Sequence, residues 1–317
     1  MATMLLCVGA CQREPEPPEQ VSAEAPPPKT EANDKPLILV AGVTGRQGSA
    51  LAKKLVELGY PVRGSTRNPD SEKAKTMADL GIEVVKVDFR DTASLAAATE
   101  GIYGLFFYTP NSSEEVTMGQ NVTDAAKASG VEHVIYTTSL SADPDNGYPI
   151  GQPKRSIELY LRDSGLGYTI LRPVQFMENF DGRQSTYTNG GMSGPEEPTH
   201  LGQYISVRDI AFFAAEAFAN PQEWIGKELN IAGDEMTQSN VAELFSRLLG
   251  VQVDYKQISW EQAARRMSPR LIEIFKWYES SGFKVDVQSL RNDYPNLMTL
   301  EQYLNETGWS SWGSSTE

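Results

Sequence analysis

The chain has 317 residues, 40% of them hydrophobic, and a net charge of −14. That length allows one large domain or a domain with an appended lobe, and a surface so negative argues against binding nucleic acid or anionic lipid through its bulk. Both cysteines, Cys7 and Cys11, precede the folded part, and the two histidines, His133 and His200, lie far apart, so no core disulfide and no metal centre is expected.

Residues 1–36 are dominated by Pro, Glu and Ala and carry −3 of the net charge, which predicts a disordered tail and linker. Within it the apolar run Met4–Ala10 is followed by Cys11, and Val8-Gly9-Ala10-Cys11 occupies the place of a lipobox in a bacterial lipoprotein signal. The run is short, however, and no Lys or Arg precedes it, where a secretory signal carries a positive segment. The expected location is therefore the cytoplasm, with a membrane-anchored lipoprotein through Cys11 as the alternative. No other segment is long and apolar enough to span a bilayer.

From Leu37 onward short apolar runs alternate with amphipathic stretches. Leu37–Val40 reads as a parallel strand buried on both faces. A glycine-rich turn follows, then a helix over about Gln47–Leu58 with Leu51, Leu55 and Leu58 on one face, stopped by Gly59. Further strands are predicted at Pro61–Ser65, Glu83–Val87, Tyr103–Tyr108, His133–Thr138 and Tyr168–Leu171. Helices are predicted at Ser71–Leu80, Thr92–Thr99, Glu114–Ser129 and from near Pro153 to Asp163. Six such alternations imply an α/β, doubly wound parallel Rossmann sheet in the order 3-2-1-4-5-6. Leu229–Ile231, after a helix at Val207–Ala219, is a candidate seventh strand. The expected division is a Rossmann core at 37–173, joined by about 206–232, and a smaller substrate or partner lobe from 174–205 and 234–310, with a helix at Val241–Leu249.

The turn between the first strand and first helix reads Gly42-Val43-Thr44-Gly45-Arg46-Gln47-Gly48. Glycines there let a pyrophosphate approach the backbone, and the helix N-terminus offers it unpaired N–H groups. Gly42, Thr44, Gly45, Arg46, Gln47 and Gly48 are therefore candidate dinucleotide-binding residues. The second strand ends in Ser65-Thr66-Arg67-Asn68 with no carboxylate to bind a ribose diol. Arg67, with Arg46 and a hydroxyl of Ser65 or Thr66, suits a 2′-phosphate, so NADP(H) is favoured over NAD(H). Asp88 and Phe89 end the third strand where adenine would lie, Thr109 ends the fourth, and Thr138-Ser139 end the fifth, near a nicotinamide.

The glycine turn, Thr66-Arg67-Asn68-Pro69, Lys154 with Glu158, Tyr168-Thr169-Ile170-Leu171-Arg172-Pro173 and Phe176-Met177-Glu178-Asn179 together resemble the NmrA-like family of atypical short-chain dehydrogenases, over about residues 37–235. The resemblance implies either an NADP-sensing regulator with little turnover or a reductase related to the isoflavone and quinone reductases. Ordinary short-chain dehydrogenases use Tyr-x-x-x-Lys as proton donor and partner. Four residues before Lys154 stands Ile150, which carries no proton, and Tyr148 is out of register. Lys154 shares a helix face with Ile157 and Leu161 and follows Pro153, so its cation opposes the helix dipole. It is the candidate catalytic or cofactor-binding residue.

Two readings stay open at this point. The missing tyrosine favours a nucleotide sensor acting on a protein partner. A reductase would take its proton from Lys154 or an ordered water and accept a small apolar carbonyl or quinone among Phe176, Phe180, Tyr187, Trp260, Trp277 and Tyr278. Nucleic acid is not an expected partner, and a membrane is one only if Cys11 is lipidated.

Overall fold

The first three βα units follow from local chemistry. In the computed structural model, which describes residues 35–145, 151–280 and 284–311, β1 (Ile38–Ala41) is buried along its whole length. Helix α1 (Arg46–Glu57) buries Gly48, Leu51, Ala52 and Leu55. Leu58, expected on that face, instead ends the helix and is 37% exposed, because the chain turns there into Gly59, whose φ is +79°. Strand β2 (Val62–Thr66) leads to α2 (Glu72–Asp79), capped by the Ser71 side chain. Strand β3 (Glu83–Lys86) leads to α3 (Thr92–Thr99), capped by Asp91.

The pattern continues through β4 (Gly104–Phe107), α4 (Glu115–Ala128), β5 (His133–Thr137), α5 (Gln152–Asp163) and β6 (Gly167–Pro173). After it come the short β7 (Gln175–Phe176), α6 (Gln184–Gly190), β8 (Met192–Gly194), β9 (Leu201–Ile205), α7 (Val207–Ala219), α8 (Pro221–Trp224) and β10 (Glu228–Ile231).

Seven strands form one sheet in the order β10-β6-β5-β4-β1-β2-β3, with every pairing parallel. The expected six-strand order is present, and β10 adds the seventh beside β6. One apolar layer packs under α1 and α7, the other under α3, α4 and α5.

The remaining elements are β11 (Asp234–Thr237), α9 (Gln238–Leu249), β12 (Tyr255–Gln257), α10 (Trp260–Ala264), α11 (Pro269–Ser280), α12 (Val287–Asp293) and α13 (Leu300–Glu306). They contribute to two small sheets, β11-β9-β7 and β12-β8. A separate aromatic core joins Tyr187, Phe245, Tyr303 and Trp309. The tail with Cys7 and Cys11, and the loop holding Tyr148 and Ile150, lie outside the described residues. Among the described residues no helix is long and apolar enough to cross a membrane, and no acidic, histidine or cysteine cluster is arranged for a metal ion.

Candidate functional site

A crevice of about 550 Å³ opens at the carboxyl ends of β1 to β4, where an open parallel sheet reverses its winding direction and binds ligands. Gly42, Thr44, Gly45, Thr66, Arg67, Asp88 and Phe89 line it. Gly42 has φ +67°, a conformation that favours glycine. A Cβ on Gly48 would lie 2.3 Å from the Gly42 carbonyl oxygen, so that glycine lets α1 start hard against the turn. The Thr44 and Thr66 hydroxyls are 3.2 Å apart, joining the turn to the end of β2. Arg67 has no hydrogen-bonded or ion-paired partner among the described residues, and it points its charge at the same crevice.

Several predicted residues stand elsewhere or are already engaged. Arg46 lies outside this crevice: its guanidinium donates to the Asn179 side chain at 3.0 Å and lines a cleft beside α7 and Tyr303. Gln47 has a buried side-chain oxygen with no partner among the described residues. Asp88 receives Arg90 at 2.6 Å, and those hydrogen bonds hold its carboxyl down at about 2. Arg90, absent from the sequence reading, is thus a second guanidinium in the crevice. So is Tyr108, whose hydroxyl donates to the Gly42 carbonyl at 3.3 Å. That hydroxyl lies 2.4 and 2.3 Å from where Cβ atoms of Gly42 and Gly45 would stand, so the phenol covers the glycine turn. An apolar residue followed by a tyrosine at a strand end carries no sequence signal for such a contact.

Thr109 is 5% exposed and its hydroxyl is committed inward. It donates to Glu115 at 2.8 Å and meets the Tyr136 hydroxyl at 3.0 Å. Lys154 joins this network: its ammonium lies 2.5 Å from Glu115 Oε1 and 3.3 Å from the Thr109 carbonyl oxygen. Glu115 is almost fully buried and the lysine side chain is 13% exposed. Burial pushes the Tyr136 phenol well above its ordinary range, so it remains a neutral hydroxyl. Glu115 stands in the first turn of α4, where an acid is locally unremarkable, and only the fold reveals its pairing with Lys154.

Across the Thr109–Ser112 segment from the crevice lies a second cavity of about 210 Å³. Lys154, Thr138 and Ser139 line it on one side, and Phe176, Arg270, Ile274, Trp277 and Tyr278 on another. Of the six aromatics considered from sequence, Phe176, Trp277 and Tyr278 reach this space. Phe180 and Tyr187 pack in the separate aromatic core, and Trp260 packs in a small cluster near Ala263. The Glu158 and Arg172 of the family pattern form a bidentate buried pair at 2.9 and 2.7 Å. Glu158 also accepts from Thr138 at 2.8 Å, fixing the end of β5. Glu178 accepts from Ser206 and from the Val207 amide, capping α7, while burial raises its carboxyl above the ordinary value.

A glycine turn at the head of a seven-stranded parallel sheet, with a crevice along the strand ends, defines a dinucleotide-fold protein of the doubly wound type. The chain belongs to the NmrA-like family, whose model matches residues 34–304. An NAD(P)H azoreductase of Xenophilus azovorans is 30% identical over 237 residues, spanning 73% of this chain and 80% of that protein. The crystal structure of an NADPH-dependent quinone oxidoreductase from Escherichia coli complexed with NADPH superposes with a TM-score of 0.75. Its identity is 25%, and the match covers 85% of this chain and 99% of that one. NmrA, a negative transcriptional regulator solved in complex with NAD, shares the fold at a TM-score of 0.69 and 18% identity, over 89% of this chain and 97% of that one.

Proposed function

We propose that the protein is an NADPH-dependent reductase of small aromatic acceptors of the quinone type. The observation that carries this reading is the cavity bounded by Lys154 and three aromatic side chains, one short segment away from the glycine crevice. The relatives named as azoreductase and quinone oxidoreductase support it. The crevice residues fit an NADP(H) molecule. Gly42, Gly45 and Gly48 carry no side chains of their own to hold a diphosphate off the backbone, and Arg67 and Arg90 offer charge-assisted donors to a 2′-phosphate. For the diphosphate to reach the turn, the Tyr108 ring must swing off Gly42 and Gly45.

Bound there, the nicotinamide supplies a hydride. The chain's own residues then hold the acceptor and bring the proton that completes a hydroquinone. Two N–H donors of Lys154 are spent on Glu115 and Thr109, which leaves one for a hydroxyl or carbonyl in the cavity. With Glu115 compensating its charge, Lys154 is positioned as a hydrogen-bond donor, the acceptor's proton coming through it from solvent. Ser139 adds a hydroxyl on the same wall, the Thr138 hydroxyl being spent on Glu158.

A sensor with little turnover is the second reading, favoured by the isoleucine at position 150 where a catalytic tyrosine would stand. One sample decides between them. Calorimetric titration with NADPH and NADH measures binding, and NADPH oxidation in the presence of naphthoquinone measures turnover. Tighter NADPH binding with quinone-dependent oxidation is the expected result. Tight binding without oxidation of any quinone rejects the reductase and leaves the sensor.

A further inference from the structure

We propose that the cavity beside Lys154 selects planar aromatic acceptors that carry a carboxylate or sulfonate, and that Arg270 is the residue that pairs with this anion. The proposal deepens the reductase reading and depends on it for turnover, though not for binding.

The cavity's charge is inverted relative to the chain. Acidic residues outnumber basic ones 42 to 28 overall, yet the cavity lining contains Lys154 and Arg270 and neither Asp nor Glu. The two cations differ in how they are compensated. Lys154 has a buried carboxylate directly behind it at 2.5 Å. Arg270 has a neutral partner, the Asn111 side-chain oxygen at 3.0 Å, and no carboxylate within ion-pair distance among the described residues. Glu273, one turn further along α11, makes no ion pair with it. A guanidinium has five N–H donors, and its planar fork matches the two oxygens of a carboxylate or sulfonate.

The geometry of α11 supplies the rest. Arg270, Ile274, Trp277 and Tyr278 all reach the cavity, as positions three, four and seven apart on one helix do. Arg270 is exposed at the start of the helix, whereas Trp277 is 3% exposed. The axial separation of those two residues is about 10 Å, so the cavity offers rings at its depth and a cation at its mouth. An acceptor with an aromatic body and an anionic substituent satisfies both ends. The chemistry is unchanged: the acceptor takes a hydride from NADPH and a proton from solvent, NADP⁺ leaves, and the anionic group is neither made nor lost.

Two measurements test this on the full chain. In the first, calorimetry without dinucleotide compares naphthalenesulfonate with its neutral analogue naphthalenesulfonamide. In the second, kcat/KM for NADPH oxidation compares naphthoquinone sulfonate with naphthoquinone, in the wild type and in Arg270→Gln and Arg270→Lys. The wild type should bind the sulfonate roughly ten- to hundredfold more tightly than the sulfonamide, the value of a charge-assisted contact. Arg270→Gln should erase that preference and lower the sulfonate-to-neutral ratio of kcat/KM by a similar factor, the ratio being read so that any common loss on both quinones cancels. Arg270→Lys should keep part of the preference. Equal binding of the two naphthalenes by the wild type, or a preference that survives Arg270→Gln, overturns the proposal. If neither quinone oxidises NADPH, the reductase reading fails, and the calorimetric comparison still decides the role of Arg270.

Discussion

Removing the Glu115 carboxylate isolates a cation that the fold has largely withdrawn from water. Glu115 is about 1% exposed and Lys154 13%, and the deletion of one partner of a buried pair costs about 3–5 kcal/mol. In Glu115→Gln the lysine keeps the Thr109 carbonyl at 3.3 Å and a route to the cavity, so the expected loss is about 3 kcal/mol. Lys154→Met is costlier, about 4 kcal/mol, because it strands the more deeply buried group with the Thr109 hydroxyl at 2.8 Å as its remaining donor. Replacing the pair together, Glu115→Leu with Lys154→Met, exchanges two charges for apolar volume and should cost about 1 kcal/mol or less. Urea denaturation of the wild type, Glu115→Leu, Lys154→Met and the double variant completes a double-mutant cycle, with Glu115→Gln measured beside it as the isosteric control. A coupling of at least about 2 kcal/mol is expected. Additive single losses would refute the reasoning, since two independent residues cannot be a buried pair. The double variant is also the sound way to ask what Lys154 does in turnover: it removes the ammonium without leaving a stranded carboxylate.

Three further outcomes follow from the crevice and the core. Arg67→Ala should narrow the preference for NADPH over NADH by roughly ten- to hundredfold, read by calorimetry; an unchanged ratio removes Arg67 from phosphate recognition. Gly48→Ala drives a Cβ to 2.3 Å from the Gly42 carbonyl oxygen and should cost about 2–3 kcal/mol together with NADPH binding. Gly59→Ala, strained at φ +79° but with open space around it, should cost about 1 kcal/mol and leave binding intact; equal effects of the two on binding would contradict the role given to the turn. Burial pushes Glu196 up to about 7 and Asp209 to about 6, so the folded state holds extra protons above the ordinary carboxylate range. Their contribution is present below about pH 4.5 and is lost as pH rises through those folded values. His133 works the other way, since burial depresses it to about 4 and its contribution is lost as pH falls from about 6.5. Glu196→Gln should therefore flatten the fall in Tm between about pH 5 and pH 7.5, and a slope equal to that of the wild type would show that Glu196 does not titrate in this window.

The sheet was legible because strands covered by helices on both faces must be apolar throughout. Ile38–Ala41, Gly104–Phe107 and His133–Thr137 are buried along their whole lengths, and each follows or precedes a glycine or a capped helix. The exposed Leu58 marks the limit of periodicity, which does not see where a helix ends. The glycine turn was legible because its backbone needs are local. Tyr108 and Glu115 were not, since each acts on a residue that only the sheet brings near, and Arg90, paired locally with Asp88, enters the crevice only because the end of β3 lies beside that of β2. Tyr108 lies on β4's end and meets Gly42 through the β1–β4 pairing. Arg270 is further still: it reaches Asn111 across 159 positions, and nothing in the Pro269-Arg270-Leu271-Ile272 start of α11 announces it. The aromatic segment Trp277-Tyr278 was visible as a candidate wall, while Phe180 and Tyr187 looked the same in sequence and proved to be core.

The Lys154–Glu115 pair also resolves a conflict that the sequence alone exposes. A lysine in the first turn of α5 sits against the positive end of that helix's dipole, and partial burial adds a desolvation cost. Glu115 sits in the first turn of α4, where the dipole favours an anion. Because α4 and α5 pack side by side on one face of the sheet, their N-termini meet at the carboxyl ends of β4 and β5. One carboxylate can then sit at the positive end of the α4 dipole and pair with the cation on α5 together. The position of Lys154 is thus unfavourable on its own helix and favourable across two, which ties the ammonium to the segment between crevice and cavity. A lysine kept only for packing gains nothing from that placement that a methionine would not supply without a buried carboxylate. The arrangement makes physical sense when the remaining N–H has something to hold.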